Sequence, residues 1–229
     1  MESVSSSVWV VIAAYNEARV IGRVVGDVAR CGFHTVVVDD GSSDGTAEVA
    51  SGGGGDIVIR HPVNLGQGAA LQTGIDYAVA QGADIIVTFD ADGQHRAADI
   101  ANLVGGLGAA PADFALGSRF LGGAVGLPLS RAILLRAATW FTRLTTGLRL
   151  SDTHNGLRAM SRRGAGMIRL KQNRMAHASE ILGQIAASGL PYVEVPVSIE
   201  YNAYSLAKGQ RLSDALMILL DLFARRLYR

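Results

Sequence analysis

The chain of 229 residues has a single cysteine, Cys31. An internal disulfide is therefore excluded. Such cysteine usage favours a reducing compartment. Charge of one sign is also lacking, with 21 Lys and Arg against 20 Asp and Glu, so no global basic field points to nucleic acid. No run of about eighteen apolar residues occurs without a charge, which excludes a helix that crosses a bilayer by itself. The first residues contain Glu2, and the apolar run from Val8 to Tyr15 is interrupted by Asn16-Glu17, unlike a secretory signal. No Gly-x-Gly-x-x-Gly follows that first run and no Walker phosphate loop is present, so dinucleotide and P-loop binding are excluded as well.

What is present is an alternation of short β-branched runs and helical periods, expected to build one domain over residues 1–229. Val8 to Ala13, Thr35 to Val38, Asp56 to Ile59, Ala83 to Phe89 and Asp113 to Gly117 read as buried strands. Between them, Glu17 to Arg30, a short segment through Ala50, Gly66 to Gln81 and about Ala97 to Leu107 read as helices. This β-α-β-α order predicts an α/β fold with a doubly wound, mostly parallel sheet and flanking helices. The second half adds a helix from Arg131 to Arg149, strands at Leu157 to Met160 and Tyr192 to Val197, a helix from Ala178 to Ser188, and a last amphipathic helix from Ser213 to Tyr228. In the first of these helices Ile133, Trp140, Phe141, Leu144 and Leu148 are expected on one side, with Arg131, Arg136, Arg143 and Arg149 on the other.

The chemistry concentrates where strands end, which is where ligands bind in open parallel sheets. Asp90-Ala91-Asp92-Gly93-Gln94-His95 follows the strand ending at Phe89, and two carboxylates one residue apart can share a hard divalent cation with substrate phosphates. The same Asp-x-Asp-Gly is also ordinary turn chemistry. Ala14-Tyr15-Asn16-Glu17 offers an aromatic face and a carboxylate after the first strand. Asp39-Asp40 offers acceptors for a ribose or base after the second, while Asp44-Gly45-Thr46 reads as a turn and helix cap.

Taken in order and spacing, Ala14 to Glu17, Val38 to Thr46, Asn64-Leu65-Gly66-Gln67-Gly68, Asp90 to His95 and Gly117-Ser118-Arg119 resemble the family 2 glycosyltransferases of GT-A, Rossmann-like fold. Gln94-His95, Gly117-Ser118-Arg119, Asp152 to Arg158 and Glu194-Val195-Pro196-Val197 are most similar to its dolichyl-phosphate mannose synthase-like branch. The resemblance runs from about Val8 to Lys208. It implies that residues 8–120 form a nucleotide-sugar half and residues 121–229 an acceptor- and membrane-facing half. It further implies that Ala14, Tyr15 and Glu17 line the nucleotide pocket, that Asp40 and also Asp39 meet base or ribose, and that Asp90 and Asp92 hold Mg²⁺ or Mn²⁺ beside Gln94. Arg119 and Arg131 match arginines facing the acceptor phosphate, and Lys208 a basic position near nucleotide or lipid phosphates. Two departures bear on acceptor contacts. Leu135 stands where the family often has serine, and Tyr201-Asn202-Ala203-Tyr204 where it often has basic residues.

The implied reaction is metal-dependent, inverting transfer of a sugar from a UDP- or GDP-sugar to polyprenyl phosphate, feeding glycan or cell-envelope assembly. Asp92, Arg119 and Arg131 would carry it. A phosphate acceptor is already anionic and needs no base, whereas a hydroxyl acceptor needs one, for which Glu180 is the candidate. A phosphohydrolase built on Asp-x-Asp is a third reading. His95 stands beside the acidic pair, within reach of a donor phosphate. Helices with an apolar face and arginines can lie in the headgroup layer, which places the chain in the cytoplasm at the inner membrane face, alone or through a small membrane partner protein.

Overall fold

The computed structural model describes residues 6–109, 111–172 and 176–201. Lys208, residues 202–204 and the expected helix from Ser213 to Tyr228 lie outside them. β1 (Val8–Ala14) is buried along its whole length, as a continuous apolar run must be in a parallel sheet covered on both faces. It pairs in parallel with β2 (His34–Asp39) and β4 (Ile85–Asp90), and β2 in turn with β3 (Ile57–Arg60). β5 (Phe114–Val125) and β7 (Tyr192–Glu200) are parallel neighbours at the far edge. Between these groups lies β6 (Arg158–Ser161), antiparallel to both β4 and β5. The seven strands run β3-β2-β1-β4-β6-β5-β7.

Helices cover both faces. On one, α1 (Ile21–Arg30) and α4 (Asp99–Ala109) bring Val24, Val25, Ile100 and Leu103 onto Val10, Ile12 and Phe89. On the other, α3 (Gln67–Ala80) and α7 (His177–Ser188) bring Leu71, Ile75, Ile181 and Ile185 onto Val11, Ile86 and Phe114. α2 (Thr46–Gly52), α5 (Leu129–Thr146) and α6 (Arg162–Met167) complete the described elements.

Four differences from the sequence reading have physical causes. α1 begins at Ile21 rather than Glu17, because Asn16 takes a left-handed backbone conformation, φ 52°, and Glu17 closes a turn through its carbonyl. β5 continues past Gly117 to Val125 by absorbing an irregularity between Ser118 and Gly123 against β7. α6 carries Gly164 and Gly166, which hide a helix from propensity, and is started by Ser161, whose Oγ accepts from the Gly164 N–H at 2.9 Å.

The fourth concerns α5. Its inward side is small and polar, with Ala138, Thr139 and Thr142 buried, while Leu129, Ile133, Trp140 and Leu144 are 61–77% exposed. The arginines do not share one face. Arg131 turns inward over the Tyr201 ring, 5.2 Å from its centroid. Arg136 lies outward over Phe120 at 5.6 Å, and the Arg143 Nε donates to the Leu150 carbonyl at 2.5 Å.

Candidate active site

The loops after β1, β2 and β4 converge at the carboxyl edge of the sheet. Asn16 fixes the first two to each other: its backbone N–H donates to Ser42 Oγ at 2.9 Å, and its Oδ1 accepts from the Ser43 N–H at 3.0 Å. Asp44 does the same from the other side, accepting from the Thr46 hydroxyl at 2.5 Å and the Ala18 N–H at 3.1 Å. Burial would raise its pKa, but the Thr46 and Ala18 hydrogen bonds outweigh it and hold the carboxyl below its ordinary value. Asp44 and Thr46 thus tie the turn together, while the N-cap of α2 is Gly45, with no side chain capping the helix, a departure from the expected cap. Ala14 ends β1 in the core and accepts from the Asp40 N–H at 2.9 Å. Tyr15, by contrast, is 45% exposed at the rim, an aromatic side chain of the kind a nucleobase stacks on.

The two acidic residues after β2 have separate tasks. Asp40 accepts from the Leu65 N–H at 2.9 Å and the Gly66 N–H at 2.7 Å, and its Oδ1 lies 2.8 Å from His61 Nδ1. It is buried and shapes the turn into α3, with one further lone pair left on Oδ2. Asp39 accepts from the Ser42 N–H through one oxygen at 3.0 Å, while its other oxygen is buried with no hydrogen-bond partner among the described residues. Arg60 Nε stands 3.4 Å from it as an ion pair. Of the two, Asp39 has the whole oxygen left for a ligand N–H or O–H.

At the end of β4, His95 is buried and its Nε2 lies 3.0 Å from Asp90 Oδ2, with its ring edge on Phe89. His95 therefore orients Asp90, a correction to its expected reach toward a donor phosphate. Gln67, in the first turn of α3, donates to Asp90 Oδ1 at 3.4 Å. Burial would raise the Asp90 pKa, but the hydrogen bond and charge of His95, with Arg158 and His177 behind it, hold it below the ordinary carboxylate range. Asp92 is pushed the other way, up to about 6, by burial first and then by the neighbouring charges of Asp90 and Glu17. Its Oδ1 accepts from the Gln94 N–H at 3.0 Å.

That asymmetry is one a divalent cation between the two carboxylates would relieve. No hydrogen bond from a described residue reaches the other Asp92 oxygen, and the charges of Asp90 and Glu17 act on it with only partial relief from His95. Among the described residues no cluster of three or more His, Cys, Asp or Glu encloses an ion. The donor set therefore fits a hard divalent ion held by one or two carboxylates and otherwise by water and phosphate oxygens.

Arg119, in β5, is buried, and four of its five guanidinium N–H groups are engaged. Its Nε donates to Asp152 Oδ2 at 2.6 Å, Nη1 to the Tyr201 hydroxyl at 2.5 Å, and Nη2 to the His154 carbonyl and to Asp152 Oδ1. Asp152 is itself tied by its N–H to Glu194, which also accepts from Ser151. Arg119 consequently positions the 151–155 segment and keeps one Nη1 N–H without an acceptor among the described residues. Arg131 does keep its guanidinium at the surface of this network, on the Tyr201 ring. Glu180 is also accounted for: it accepts from the Lys171 and Gln172 N–H groups at 2.9–3.1 Å and from Gln184 at 3.3 Å. It holds the 171–172 backbone against Gly68 in the first turn of α3, which corrects its reading as a base.

Two residues in the site escaped the motif reading. Gly156 lies directly beneath the Asp90 carboxylate, where any Cβ would overlap both its oxygens. Asn155, one residue earlier, leaves its Nδ2 buried without a partner. The available signal was Asn-Gly between two charged residues of the Asp152 to Arg158 segment, a turn that places backbone close to another group. All three buried side-chain atoms without a hydrogen-bond partner among the described residues belong to this edge: Asp39 Oδ2, His95 Nδ1 and Asn155 Nδ2. Buried polar atoms are nearly always paired, so their clustering marks a ligand site.

A mostly parallel sheet that gathers an exposed aromatic, a buried carboxylate acceptor and an Asp-Ala-Asp pair at one edge is the build of a glycosyltransferase using a nucleotide-activated donor. The family model described as Glycosyl transferase family 2 matches residues 9–169, and the chain belongs to that family. It is 31% identical over 223 residues to the UDP-N-acetylglucosamine–dolichyl-phosphate N-acetylglucosaminyltransferase of Methanococcus voltae, covering 88% of this chain and 89% of the relative. It is 30% identical over 221 residues to the polyprenol monophosphomannose synthase of Mycolicibacterium smegmatis, covering 90% and 83%. The glucosyl-3-phosphoglycerate synthase of Mycobacterium tuberculosis, solved with Mn²⁺, UDP-glucose and phosphoglyceric acid, shares the fold. It superposes with a TM-score of 0.69 at 19% identity, covering 96% of this chain and 80% of that one. Family membership removes the phosphohydrolase reading.

Proposed function

We propose that this glycosyltransferase moves a sugar from a UDP- or GDP-sugar to polyprenyl phosphate at the cytoplasmic face of a membrane, with inversion and with Mg²⁺ or Mn²⁺ at Asp92 and Asp90. The observation that carries the acceptor assignment is α5. Its outward stripe of Leu129, Ile133, Trp140 and Leu144 is apolar where a solvated helix would be polar, and Arg131 on the same helix turns inward to the site. A lipid tail lying along such a surface delivers its phosphate to the half-buried Arg131 guanidinium. The names of the Methanococcus and Mycolicibacterium relatives, one a dolichyl-phosphate and one a polyprenol enzyme, support the same acceptor class. No helix among the described residues is long and apolar enough to cross the membrane.

The donor half, residues 8–120, supplies Tyr15 for stacking and Asp39 as the acceptor for base or ribose. Glu17 contributes negative charge beside Asp92. When bound, a divalent ion supplies Lewis acidity for the departing diphosphate. His95 and Gln67 hold Asp90, and the Gln94 N–H holds Asp92, so the two carboxylates need no reorganisation as charge develops. A phosphate acceptor attacks as an anion, so no residue has to remove a proton, in keeping with the engagement of Glu180 by backbone amides. Lys208 is assigned to the phosphates on resemblance alone, and a small membrane partner protein is a further means of recruitment.

The test is nucleotide release by purified protein given Mn²⁺, a short-chain prenyl phosphate, and in turn UDP-N-acetylglucosamine, UDP-glucose and GDP-mannose. Release with one donor, dependent on both prenyl phosphate and metal and abolished by Asp92→Asn, is expected. Release that ignores prenyl phosphate overturns the acceptor class.

A further inference from the structure

The 155–158 segment, whose Gly156 packs on Asp90, carries two hydrogen-bond donors that neither the metal site nor the acceptor arginine uses. Asn155 is buried; its Oδ1 accepts from the Leu157 N–H at 3.0 Å, and its Nδ2 has no partner among the described residues. Arg158 is 4% exposed, and its guanidinium has no hydrogen bond to a described residue, only the charges of Asp90 and Asp152 nearby. Burial draws its pKa down to about 10, so it remains fully charged at neutral pH. Asp90 balances that charge without accepting from it, since the Asp90 oxygens take His95 and Gln67.

A largely buried guanidinium with no acceptor among the described residues is a poor structural element, because apolar residues of similar volume fill such a position as well or better. It makes sense where a ligand completes it. The placement is specific. Arg158 pairs across the sheet with Thr88, two residues before Asp90, so Thr88, Asp90 and Arg158 share one face. Thr88 Oγ1 donates to the Gly156 carbonyl at 2.7 Å, which fixes the segment carrying both donors to β4. Gly156 has no side chain to hold this segment off Asp90.

The mixture of groups selects the ligand chemistry. A phosphate offers acceptors alone and would meet the Asp90 carboxylate unfavourably. A sugar hydroxyl both donates and accepts, and so satisfies a carboxylate on one side and amide or guanidinium donors on the other. We infer that Asn155 and Arg158, on the segment packed against Asp90, bind the hydroxyl groups of the sugar being transferred. This rests on the reading of the chain as acting on a nucleotide sugar. It makes the two residues determinants of which sugar is accepted, since a site built to hydrogen-bond hydroxyls rejects epimers that leave its donors unpaired.

Calorimetric titration with Mn²⁺ separates sugar from nucleotide contacts, using UDP-N-acetylglucosamine against UDP and GDP-mannose against GDP. Arg158→Lys removes the fork and keeps the charge. Asn155→Ser removes the amide donor and keeps an oxygen for the Leu157 N–H. Each variant is expected to bind the nucleotide sugar at least about tenfold more weakly while binding the free nucleoside diphosphate within about twofold of wild type. Equal losses for both ligands, or no loss for either, overturn the inference and leave the proposed function standing. Wild-type protein that binds neither nucleotide sugar overturns both. Should Arg158→Lys not fold, as judged by its thermal transition, Asn155→Ser decides alone.

Discussion

The carboxylate of Asp90 rests on the Cα of Gly156, the residue two before Arg158 on the strand that runs antiparallel to β4. A methyl group at Gly156 would occupy the volume of both carboxylate oxygens. Gly156→Ala should therefore move Asp90 away from His95 and Gln67. A displacement of about 1 Å in a positioned catalytic group costs on the order of 10²-fold in rate, whereas overpacking at one site costs about 1–3 kcal/mol in stability. Steady-state kcat and a urea transition, measured on the same preparation, should show a folded protein with a large loss of turnover.

How far this was legible in the sequence varies along the chain. β1, β2 and β4 announce themselves through β-branched runs, and the residues after them fall at the sheet edge because parallel strands end there together. Asp39 and Asp40 are adjacent in sequence with identical side chains. Only the path of the chain through Leu65 and Gly66 decides that Asp40 shapes a turn while Asp39 keeps a spare oxygen. The network of Arg119 was hidden because its partners, Asp152 and Tyr201, are 33 and 82 residues away. The insertion of β6 between β4 and β5 was invisible for the same reason: four residues carry no period that encodes direction.

Asp92 should respond to pH and to metal in opposite ways. Its folded pKa of about 6 exceeds the ordinary value of 3.8, so the metal-free fold takes up a proton below about 6. From this group alone the metal-free fold gains stability as pH falls from about 6 toward 4. The same proton competes with the cation. Mn²⁺ affinity in the presence of UDP should be nearly flat above pH 6.5 and fall about tenfold per pH unit below 6. Asp92→Asn keeps the acceptor for Gln94 and removes the charge, so at pH 7.5 it should raise the metal-free melting temperature by roughly 2–4 °C while losing Mn²⁺ binding. A melting temperature that falls would show that Asp90 and Glu17 exert no repulsion on Asp92.

The two arginines expected to face the acceptor should separate experimentally. Arg119 and Asp152 form a buried ion pair at 2.6 Å, and removing one member leaves an uncompensated charge, a loss of about 3–5 kcal/mol. Arg119→Ala should thus lower the denaturation midpoint sharply. Arg131→Ala removes only a cation–π contact with Tyr201 from the fold, worth about 0.5–2 kcal/mol. It should leave a folded enzyme whose KM for prenyl phosphate rises while its KM for the nucleotide sugar is unchanged.

Glu180→Gln distinguishes a base from a brace. Gln retains an oxygen for the Lys171 and Gln172 N–H groups, so the loop against Gly68 should survive with a loss of about 1–2 kcal/mol from the weaker, uncharged hydrogen bonds. Turnover should fall by less than about tenfold, well short of the 10²–10⁴-fold that removal of a general base costs. A loss within that larger range, with an unchanged thermal transition, would return Glu180 to a chemical role and favour a hydroxyl acceptor.

The outward face of α5 makes the last prediction, because its apolar residues contribute to the fold in a way opposite to core residues. Trp140 is 65% exposed and Ile133 62%, so replacing either with Glu should change stability by no more than about 0.5 kcal/mol. In a lipid headgroup layer the same change is expensive. An exposed indole face of about 100 Å² at ~25 cal/mol/Å² corresponds to about 2.5 kcal/mol, roughly 70-fold in partitioning, before any charge is added. Sedimentation with vesicles containing anionic lipid should therefore show wild-type protein bound and Trp140→Glu largely free. Turnover on a water-soluble short-chain prenyl phosphate should be unchanged in that variant, since Arg131 and the Asp90 to Asp92 segment lie on the other side of the helix. Equal vesicle binding by both proteins would remove α5 as the membrane contact and with it the physical basis for a lipid acceptor.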